Sequence, residues 1–294
     1  MLSITTKRHI ILRREGQNAL AVCILLTGLL LLMIEFNASA QGNLLLTPRR
    51  IVFEGSKKSI DLNLANIGTD TSTFAISVVQ VRMTEDGGFE TITEPDPGQL
   101  FADKNIRFFP RSVTLGPNES QVVKVQAIRT GELQPGEYRS HFFFRSIPKA
   151  KPLGEEDQVK DSGGISIKLT PIFGITIPVI LRIGEGSAGI SITDVKLQTV
   201  NDSIPNLSLV FNRTGNFSVY GDLTVDHVSP QGKVTRVGVA NGIAVYTPNL
   251  LRRFQFNLNP PEGVSLTSGK IRLTFSSPSD IRPVKYAETV MDLH

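Results

Sequence analysis

Residues 164–181, GISIKLTPIFGITIPVIL, constrain the fold more than any other stretch of this chain. Apolar side chains and one proline occupy every second position along it: Ile165, Ile167, Leu169, Pro171, Phe173, Ile175, Ile177, Val179 and Leu181. An alternation of period two is typical of a β-strand, because successive side chains point to opposite faces. This alternation lasts much longer than a usual strand of about five or six residues. We therefore predict a long apolar strand that its own domain is too short to cover, and that a client protein covers instead.

The first forty residues are typical of a secretory signal peptide. Four basic residues precede an uncharged apolar stretch at 19–34, and Ala38-Ser39-Ala40 supplies a small-x-small cleavage site. An uncleaved membrane anchor is the alternative, but the apolar stretch is shorter than the ~20 residues that a spanning helix needs. We predict cleavage after residue 40, so that the exported chain begins at Gln41.

Removing this segment changes what the composition means. Residues 1–40 carry four basic and two acidic side chains, so the formal net charge falls from +4 to +2. That balance gives no ground for expecting a nucleic-acid partner. The only cysteine, Cys23, lies in the same segment. The exported chain therefore has no disulfide and depends on hydrophobic cores, and its length of roughly 250 residues suits two domains.

Almost nothing in the exported chain predicts a helix. Short alternating runs are separated by turn signals, which is typical of antiparallel sandwiches. In the first domain we predict strands at 43–53, 59–66, 74–83, 106–110, 112–115, 120–128 and 136–148, followed by the long strand. In the second domain we predict strands at 190–197, 207–212, 221–227, 234–239, 243–246, 254–258 and 270–275. The prediction is an all-β protein of two immunoglobulin-like, seven-stranded sandwiches, at 41–183 and 184–294, held at a fixed angle by a short Gly-rich connection.

The residues that catalysis needs are scarce. The exported chain has three histidines, His141, His227 and His294, which lie far apart and belong to no metal-binding motif. We find no G-x-S-x-G elbow, phosphate-binding loop or dinucleotide-binding glycine pattern. A triad assembled from distant residues stays open, and we interpret His141 as a packed or rim residue. We therefore predict no enzymatic activity, no cofactor and no metal site.

Two consecutive arginines precede the apolar end of the first predicted strand. Arg49 and Arg50 lie on opposite faces if the strand is continuous. Both are then either solvated edge residues, or one of them points into the cleft between the domains. In a cleft, a guanidinium can hold a carboxylate through two parallel hydrogen bonds.

Several segments together resemble the periplasmic pilus-assembly chaperones of the chaperone–usher type, the PapD-like family, in one of its less typical branches. In the first domain these are PRRIVFEG, FFPRSVTLGPNESQVVKV, LQPGEYRSHFFFRSIP and the long alternating strand. In the second domain they are FNRTGNFSVYGDLTV and GIAVYTPNLLRRFQFNL. The resemblance extends from about residue 45 to about residue 275, and it depends on the order and spacing of the segments.

The resemblance implies two immunoglobulin-like domains in a boomerang arrangement and a role in pilus or fimbrium biogenesis and cell wall organization. Such chaperones lend their long strand to an incomplete subunit by donor-strand complementation, a form of β-augmentation. The implied partners are fimbrial or pilin-like subunits and an outer-membrane usher, with no nucleic acid and no small-molecule substrate. Whether the free protein caps itself as a homodimer stays open. Arg50 matches the arginine that anchors the subunit's terminal carboxylate. The implied donor row is Ile165, Ile167 and Leu169, continued by Phe173 and Ile175.

One departure from the family pattern concerns the anchor. The family usually places a lysine a few residues after the donor row, but residues 173–176 read FGIT, and Lys168 and Arg182 do not align with that position. The carboxylate clamp is then weaker, differently built or absent. We rank a subunit-capping periplasmic chaperone first. An exported structural protein that self-associates through the long strand is second, and an enzyme of unrecognised type is third.

Overall fold

The computed structural model describes residues 44–148, 172–200, 204–278 and 283–293. Within these ranges the chain forms β-strands and two short 3-10 turns, Asp103–Asn105 and Thr130–Glu132, and it contains no α-helix. The predicted all-β class is therefore confirmed. The described part of the chain includes no helix long and apolar enough to cross a membrane. The predicted signal peptide, residues 1–40, lies outside the described residues.

The first sandwich contains nine strands in two facing sheets, and a separate two-stranded ribbon accompanies it. The strands, ribbon included, are β1 (Leu44–Thr47), β2 (Ile51–Phe53), β3 (Ser59–Asn66), β4 (Ser72–Val79), β5 (Val81–Met83), β6 (Phe89–Thr91), β7 (Ile106–Phe109), β8 (Ser112–Leu115), β9 (Ser120–Ala127), β10 (Gly136–Ile147) and β11 (Gly174–Ile183). The sheets have the orders β1-β3-β9-β7 and β2-β11-β10-β4-β8, and β5 pairs with β6 in the ribbon. β11 pairs antiparallel with β10 along its whole length, and it pairs in parallel with β2 only from Val179 to Leu181.

Two strands predicted as continuous, 43–53 and 74–83, are each divided between sheets. In the second, β4 lies in the five-stranded sheet and β5 in the ribbon. The single strand predicted at 43–53 is wrong, because β1 lies in the four-stranded sheet and β2 in the five-stranded sheet. Residues 48–50 bend between them, where Pro48 has no N–H to continue the ladder. Pro110 separates β7 from β8 in the same way. If the pairs β1–β2 and β7–β8 each count as one strand, the first sandwich has the seven strands of the predicted architecture, although the sequence predicts β7 and β8 as separate strands.

The second sandwich also has seven strands. They are β12 (Ala188–Val200), β13 (Ile204–Gly215), β14 (Val219–Val228), β15 (Val234–Val245), β16 (Leu251–Asn257), β17 (Gly269–Ser276) and β18 (Lys285–Leu293). They form one sheet of order β12-β13-β16 and another of order β15-β14-β17-β18.

Two strand predictions in this sandwich are wrong. The sequence predicts separate strands at 234–239 and 243–246, and the dipeptide between them, Asn241-Gly242, is common in hairpin turns. The chain instead runs through Gly242 (φ +72°) as one strand, and a register shift between Gly221 and Leu223 of β14 accommodates the extra residue. β18 was not predicted at all, although its residues alternate in burial and it pairs with the whole length of β17.

Each sandwich has its own hydrophobic core. The first core includes Phe142 and Phe144 of β10 with Ile177, Val179 and Leu181 of β11. The second is built around four fully or almost fully buried side chains of β13 and β17: Leu207, Leu209, Phe211 and Phe275. A third, smaller cluster joins the two sandwiches through Met83, Ile180, Ala244 and Tyr246. Ile180 belongs to this cluster because it lies on the face of β11 opposite to the first core.

The ribbon also connects the sandwiches. Its turn approaches the outer edge of β16, where the backbone N–H of Arg253 donates to the carbonyl of Glu85 at 2.7 Å. The two side chains form an ion pair at 3.1 Å. Nearby, Nδ2 of Asn249 donates to the carbonyl of Met83 at 2.8 Å. These contacts support the expectation that the short connection holds the sandwiches at a fixed angle.

The long strand is described only in part. Residues 164–171 lie outside the described residues, and the strand prediction is wrong for Ile172 and Phe173, which precede β11 without joining it. From Ile175 onwards, the predicted apolar row faces the first core, as its period indicates.

Candidate functional site

Arg50 lies at the junction of the two sandwiches, directly before β2. Its guanidinium covers the ring of Tyr220 of β14, with Cζ 4.7 Å from the ring centroid. Nε and Nη2 of Arg50 are buried and have no hydrogen-bond partner among the described residues. Arg49, in contrast, is exposed. The structure therefore distinguishes two neighbouring arginines that the strand period alone leaves equivalent.

Two clefts meet at Arg50. The larger has a volume of about 740 Å³ and is bounded by Leu46 and Pro48 on one side and by Tyr220 and Tyr286 on the other. The smaller, about 450 Å³, extends along the connection between the sandwiches. Clefts of this size accept a peptide segment or a small ligand. Arg50 lines both clefts, so a partner bound in either would lie beside this side chain.

An ion pair beside Arg50 joins β10 to β11. Nε of Arg182 lies 3.1 Å from Oε2 of Glu137, whose side chain is 0% exposed. Glu137 also accepts hydrogen bonds from the backbone N of Ser218 at 3.0 Å, from Oγ of Ser218, and from Oγ1 of Thr247 at 3.4 Å. Arg182 donates in addition to the carbonyl of Ser218 at 2.8 Å and pairs with Glu54 at 3.4 Å. Because its donors are already engaged, Arg182 does not replace the lysine that the family pattern requires.

Arg139 is a second desolvated cation, and the sequence reasoning missed it. It is 2% exposed, and its Cζ lies 4.4 Å from the centroid of the Tyr246 ring. Nη2 donates to the carbonyl of Thr247 at 3.2 Å. Nε and Nη1 have no partner in the described part of the chain. Arg139 thus adds a second buried positive charge near Arg50.

The charges at this junction do not balance. Arg50, Arg139 and Arg182 face one buried carboxylate, that of Glu137, and the second carboxylate near them, Glu54, is 60% exposed at the side chain. Burial lowers the pKa of Arg50, and the positive charge of Arg182 lowers it further. Removing a charge from water costs free energy unless a partner compensates it. The arrangement therefore favours binding of an anion at Arg50.

One edge of β11 is unpaired next to Arg50. β2 accompanies β11 only from Val179, and among the described residues no strand pairs with this edge between Gly174 and Pro178. A groove of about 280 Å³ follows the same edge, and its apolar lining includes Leu44, Leu46 and Ile177. Unpaired N–H and C=O groups beside an apolar groove provide a template for an added strand.

Only two of the five predicted donor residues, Phe173 and Ile175, lie within the described ranges. Ile165, Ile167 and Leu169 lie outside the described residues, so their role stays a prediction. Phe173 is 38% exposed. Ile175 is half-buried and packs against the first core. Burial along this apolar row thus increases from Phe173, which precedes β11, to Val179, which is fully buried.

His141 is buried at the same junction, in agreement with its interpretation as a packed residue. It is 3% exposed and forms edge-on ring contacts with Phe89 and Tyr246, at centroid distances of 5.6 and 6.4 Å. Burial, assisted by the charge of Arg139, lowers the pKa of His141 to about 3. The imidazole is therefore neutral at physiological pH.

We expect His141 to make the protein sensitive to mild acid. The folded state keeps the ring neutral down to a pKa of about 3, whereas the unfolded chain takes up a proton below about 6.5, so stability decreases as the pH falls through this window. One pKa unit corresponds to about 1.4 kcal/mol, so this group lowers the free energy of unfolding by about 2 kcal/mol between pH 7 and pH 5. Denaturant unfolding at both pH values should show a correspondingly smaller loss for His141→Gln than for the unmodified chain. Equal losses would assign the acid sensitivity to other groups.

Other chemistry is not indicated at the described positions. No group of three or more His, Cys, Asp or Glu residues there is arranged to hold a metal ion. His227 contacts the carbonyl of Ser268 through Nε2 at 2.8 Å. His294 lies outside the described residues.

Comparison with known proteins gives structural likenesses alone. No family model and no curated protein matches this chain. Over most of its length, its structure is similar to solved structures of chaperones of fimbrial systems. The YadV chaperone is 13% identical with a TM-score of 0.41, and the alignment covers 86% of this chain and 100% of that one. The CsuC–CsuE chaperone–subunit complex of Csu pili from Acinetobacter baumannii is 11% identical with a TM-score of 0.43, covering 84% and 99%.

A third likeness is to the CupB2 chaperone of Pseudomonas aeruginosa, at 11% identity and a TM-score of 0.37, covering 85% of this chain and 99% of that one. These likenesses are too distant to assign residue roles. We therefore derive the function from the residues of this chain.

Proposed function

We propose that this protein is a periplasmic chaperone that binds and caps fimbrial or pilin-type subunits by donor-strand complementation and delivers them to an outer-membrane usher. Residues 1–40 act as a cleaved signal peptide. Residues 41–183 form the chaperone domain, with its donor strand at 164–181, and residues 184–294 form the second domain. In this proposal the protein is not an enzyme and uses no cofactor.

A single observation carries the proposal: the unpaired edge of β11 leads directly to an unpartnered arginine. A strand added beside Gly174–Pro178 would occupy the same position in the sheet as β2, further towards the start of β11. Arg50 immediately precedes β2, so it lies where the added strand must end. Backbone hydrogen bonds along the edge would then supply affinity, and the guanidinium would contact the terminal residue of the added strand.

The sign of the charge also indicates the direction of the added strand. If that strand runs parallel to β11, its carboxyl terminus reaches Arg50, and if it runs antiparallel, its other end does. Arg50, Arg139 and Arg182 face the carboxylates of Glu137 and Glu54, so a C-terminal carboxylate would supply the third negative charge, whereas an amino terminus would add another positive charge. We therefore infer a parallel client strand that ends in its own terminal carboxylate.

Asp at two positions of the predicted apolar row tests this function. Ile167→Asp should abolish co-purification of a co-expressed, exported pilin-type subunit. It should leave the melting temperature unchanged, because in this proposal the Ile167 side chain packs into the apolar groove of the subunit and not into the chaperone's own core. A fully buried isoleucine contributes about 1.5–3 kcal/mol, and an unpaired carboxylate in an apolar groove costs more. Ile177→Asp is the matched control. Ile177 is 3% exposed within the first core, so this variant should unfold the protein itself.

Two results would contradict the proposal. A large drop in melting temperature for Ile167→Asp would place that residue in the protein's own core, and an unchanged subunit yield would remove it from the client contact. Size-exclusion chromatography with light scattering measures the oligomeric state of the protein with and without the subunit. A homodimer that persists in the presence of subunit, and is dissociated by Ile167→Asp, would favour the self-associating structural protein instead.

The export step makes a separate prediction. The protein recovered from the periplasmic fraction should begin at Gln41, because the small-x-small site ends at Ala40. N-terminal sequencing of the exported chain measures this directly. A chain that starts at Met1 and sediments with membranes would show that the apolar segment is an anchor.

A further inference from the structure

A cavity of about 420 Å³ lies beneath the β5–β6 ribbon, and Arg50 is not among its lining residues. Residues of both sandwiches line it, because β11 contributes Pro178 and β15 contributes Ala244. Its described walls are mainly apolar: Val81, Met83, Phe89, Pro178, Ala244 and Tyr246. Mostly apolar cavities of this size with a few polar groups are typical of small-molecule sites.

His141 supplies one of those polar groups. It lines the cavity and is 3% exposed, yet neither Nδ1 nor Nε2 has a hydrogen-bond partner among the described residues. A neutral imidazole carries one N–H donor and one acceptor nitrogen. Buried polar groups are nearly always hydrogen-bonded, so an unpartnered histidine that faces a cavity points to a missing ligand.

Arg252 supplies a second polar group and the charge. Nη1 donates to the carbonyl of Ala244 at 2.6 Å, while Nε is buried and has no partner in the described ranges. A side chain at Gly87 of the ribbon turn would overlap the Arg252 guanidinium, so the ribbon passes directly over it. No Asp or Glu is among the described lining residues. The cavity therefore offers a cation without a counter-ion.

We propose that this cavity binds a small carboxylic acid with an apolar body about the size of one aromatic ring. Its carboxylate accepts hydrogen bonds from Nε of Arg252 and from the imidazole N–H of His141, and its body packs against Phe89 and Tyr246. The mainly apolar walls favour such an acid over a phosphate or a sugar, each of which needs more donors and acceptors. The acid is a ligand and not a substrate. Its site does not include Arg50, but it shares Thr176 and Pro178 with the β11 edge of the proposed client contact.

Calorimetric titration of the exported chain with 3-phenylpropionate tests the proposal, with 3-phenylpropionamide as the uncharged match. We expect saturable binding of the acid and at least about tenfold weaker binding of the amide, because the charge-assisted hydrogen bond is lost. Arg252→Met should weaken binding of the acid by at least about tenfold. Its neighbour provides the control: Arg253 is 58% exposed at the side chain and does not line the cavity, so Arg253→Met should bind as the unmodified chain does.

A second variant guards against misfolding of Arg252→Met. Phe89 is 54% exposed, so Phe89→Ala leaves the cores intact and should weaken binding of both probes by removing one wall. Melting temperatures identify any variant that fails to fold. Absence of saturable binding by the unmodified chain, equal affinity for acid and amide, or equal effects of Arg252→Met and Arg253→Met would each overturn the proposal.

Discussion

Replacing Glu137 by alanine should destabilise the isolated protein by about 3–5 kcal/mol, because the change removes the buried carboxylate that compensates Arg182. Glu137 is 3% exposed, and its carboxylate compensates Arg182 at 3.1 Å while accepting three hydrogen bonds from Ser218 and Thr247. Without it, the positive charges of Arg50, Arg139 and Arg182 face one another across the junction. At roughly 2–4 °C per kcal/mol for a chain of this size, thermal unfolding should shift downward by roughly 6–20 °C.

Glu54 provides the matched control for this prediction. It pairs with the same arginine, at 3.4 Å, but its side chain is 60% exposed. Solvent screens such a pair, so Glu54→Ala should cost no more than about 1 kcal/mol. Calorimetry of the two variants in one buffer compares a buried and an exposed partner of a single guanidinium. Similar losses for both would mean that Glu137 does not compensate the junction charges.

Replacing Arg50 by alanine should abolish client capture while the chaperone stays folded. Truncating one partner of a buried, hydrogen-bonded charge pair costs about 2–5 kcal/mol of binding free energy, which corresponds to about 30-fold to several thousand-fold in affinity. Arg49→Ala should have little effect, because Arg49 is exposed. The measurement is affinity for a co-purifying subunit, with melting temperatures recorded for both variants. Equal capture by both would show that Arg50 is not the anchor.

A double-mutant cycle identifies the group that Arg50 holds. A synthetic peptide of the subunit's last strand is titrated with a free carboxyl terminus and in amidated form. If Arg50 binds that carboxylate, amidation and Arg50→Ala each weaken binding by a similar factor, and together they weaken it little further. Additive effects would place the carboxylate elsewhere.

The strand pattern could be predicted from the sequence because its period is local. Most strands of both sandwiches and the inward row of β11 follow from alternation and turn residues, whereas β18 was not predicted. The change of sheet at Pro48 could not be predicted, because it depends on the sheet with which β2 pairs. Nor could the strand across Asn241-Gly242, because a bulge paired with β14 overrides a local turn signal. Ile180 is buried on the other face of β11 only because the second sandwich covers it.

The residues of the candidate site could likewise be predicted only in part, because some of them are buried by contacts between the two sandwiches. Arg50 could be singled out only through the family resemblance, because the strand period alone leaves it equivalent to Arg49. Glu137 and Arg139 were missed, although with His141 they form a polar row of period two on β10, opposite to the row of Tyr138, Phe142 and Phe144 in the first core. Such a row usually faces water. Here the second sandwich buries it, and a sequence taken one domain at a time does not contain that contact.

The ribbon turn has a consequence for association between copies of the chain. β16 is an outer strand of its sheet, and its exposed backbone groups would otherwise be available to any β-strand in solution. Glu85 takes one of these groups, the N–H of Arg253, and the ion pair between their side chains places charge on the same edge. An incoming strand must therefore displace the turn before it can extend this sheet. By covering β16 in this way, the ribbon turn protects this edge of the second sandwich against fibre-like stacking.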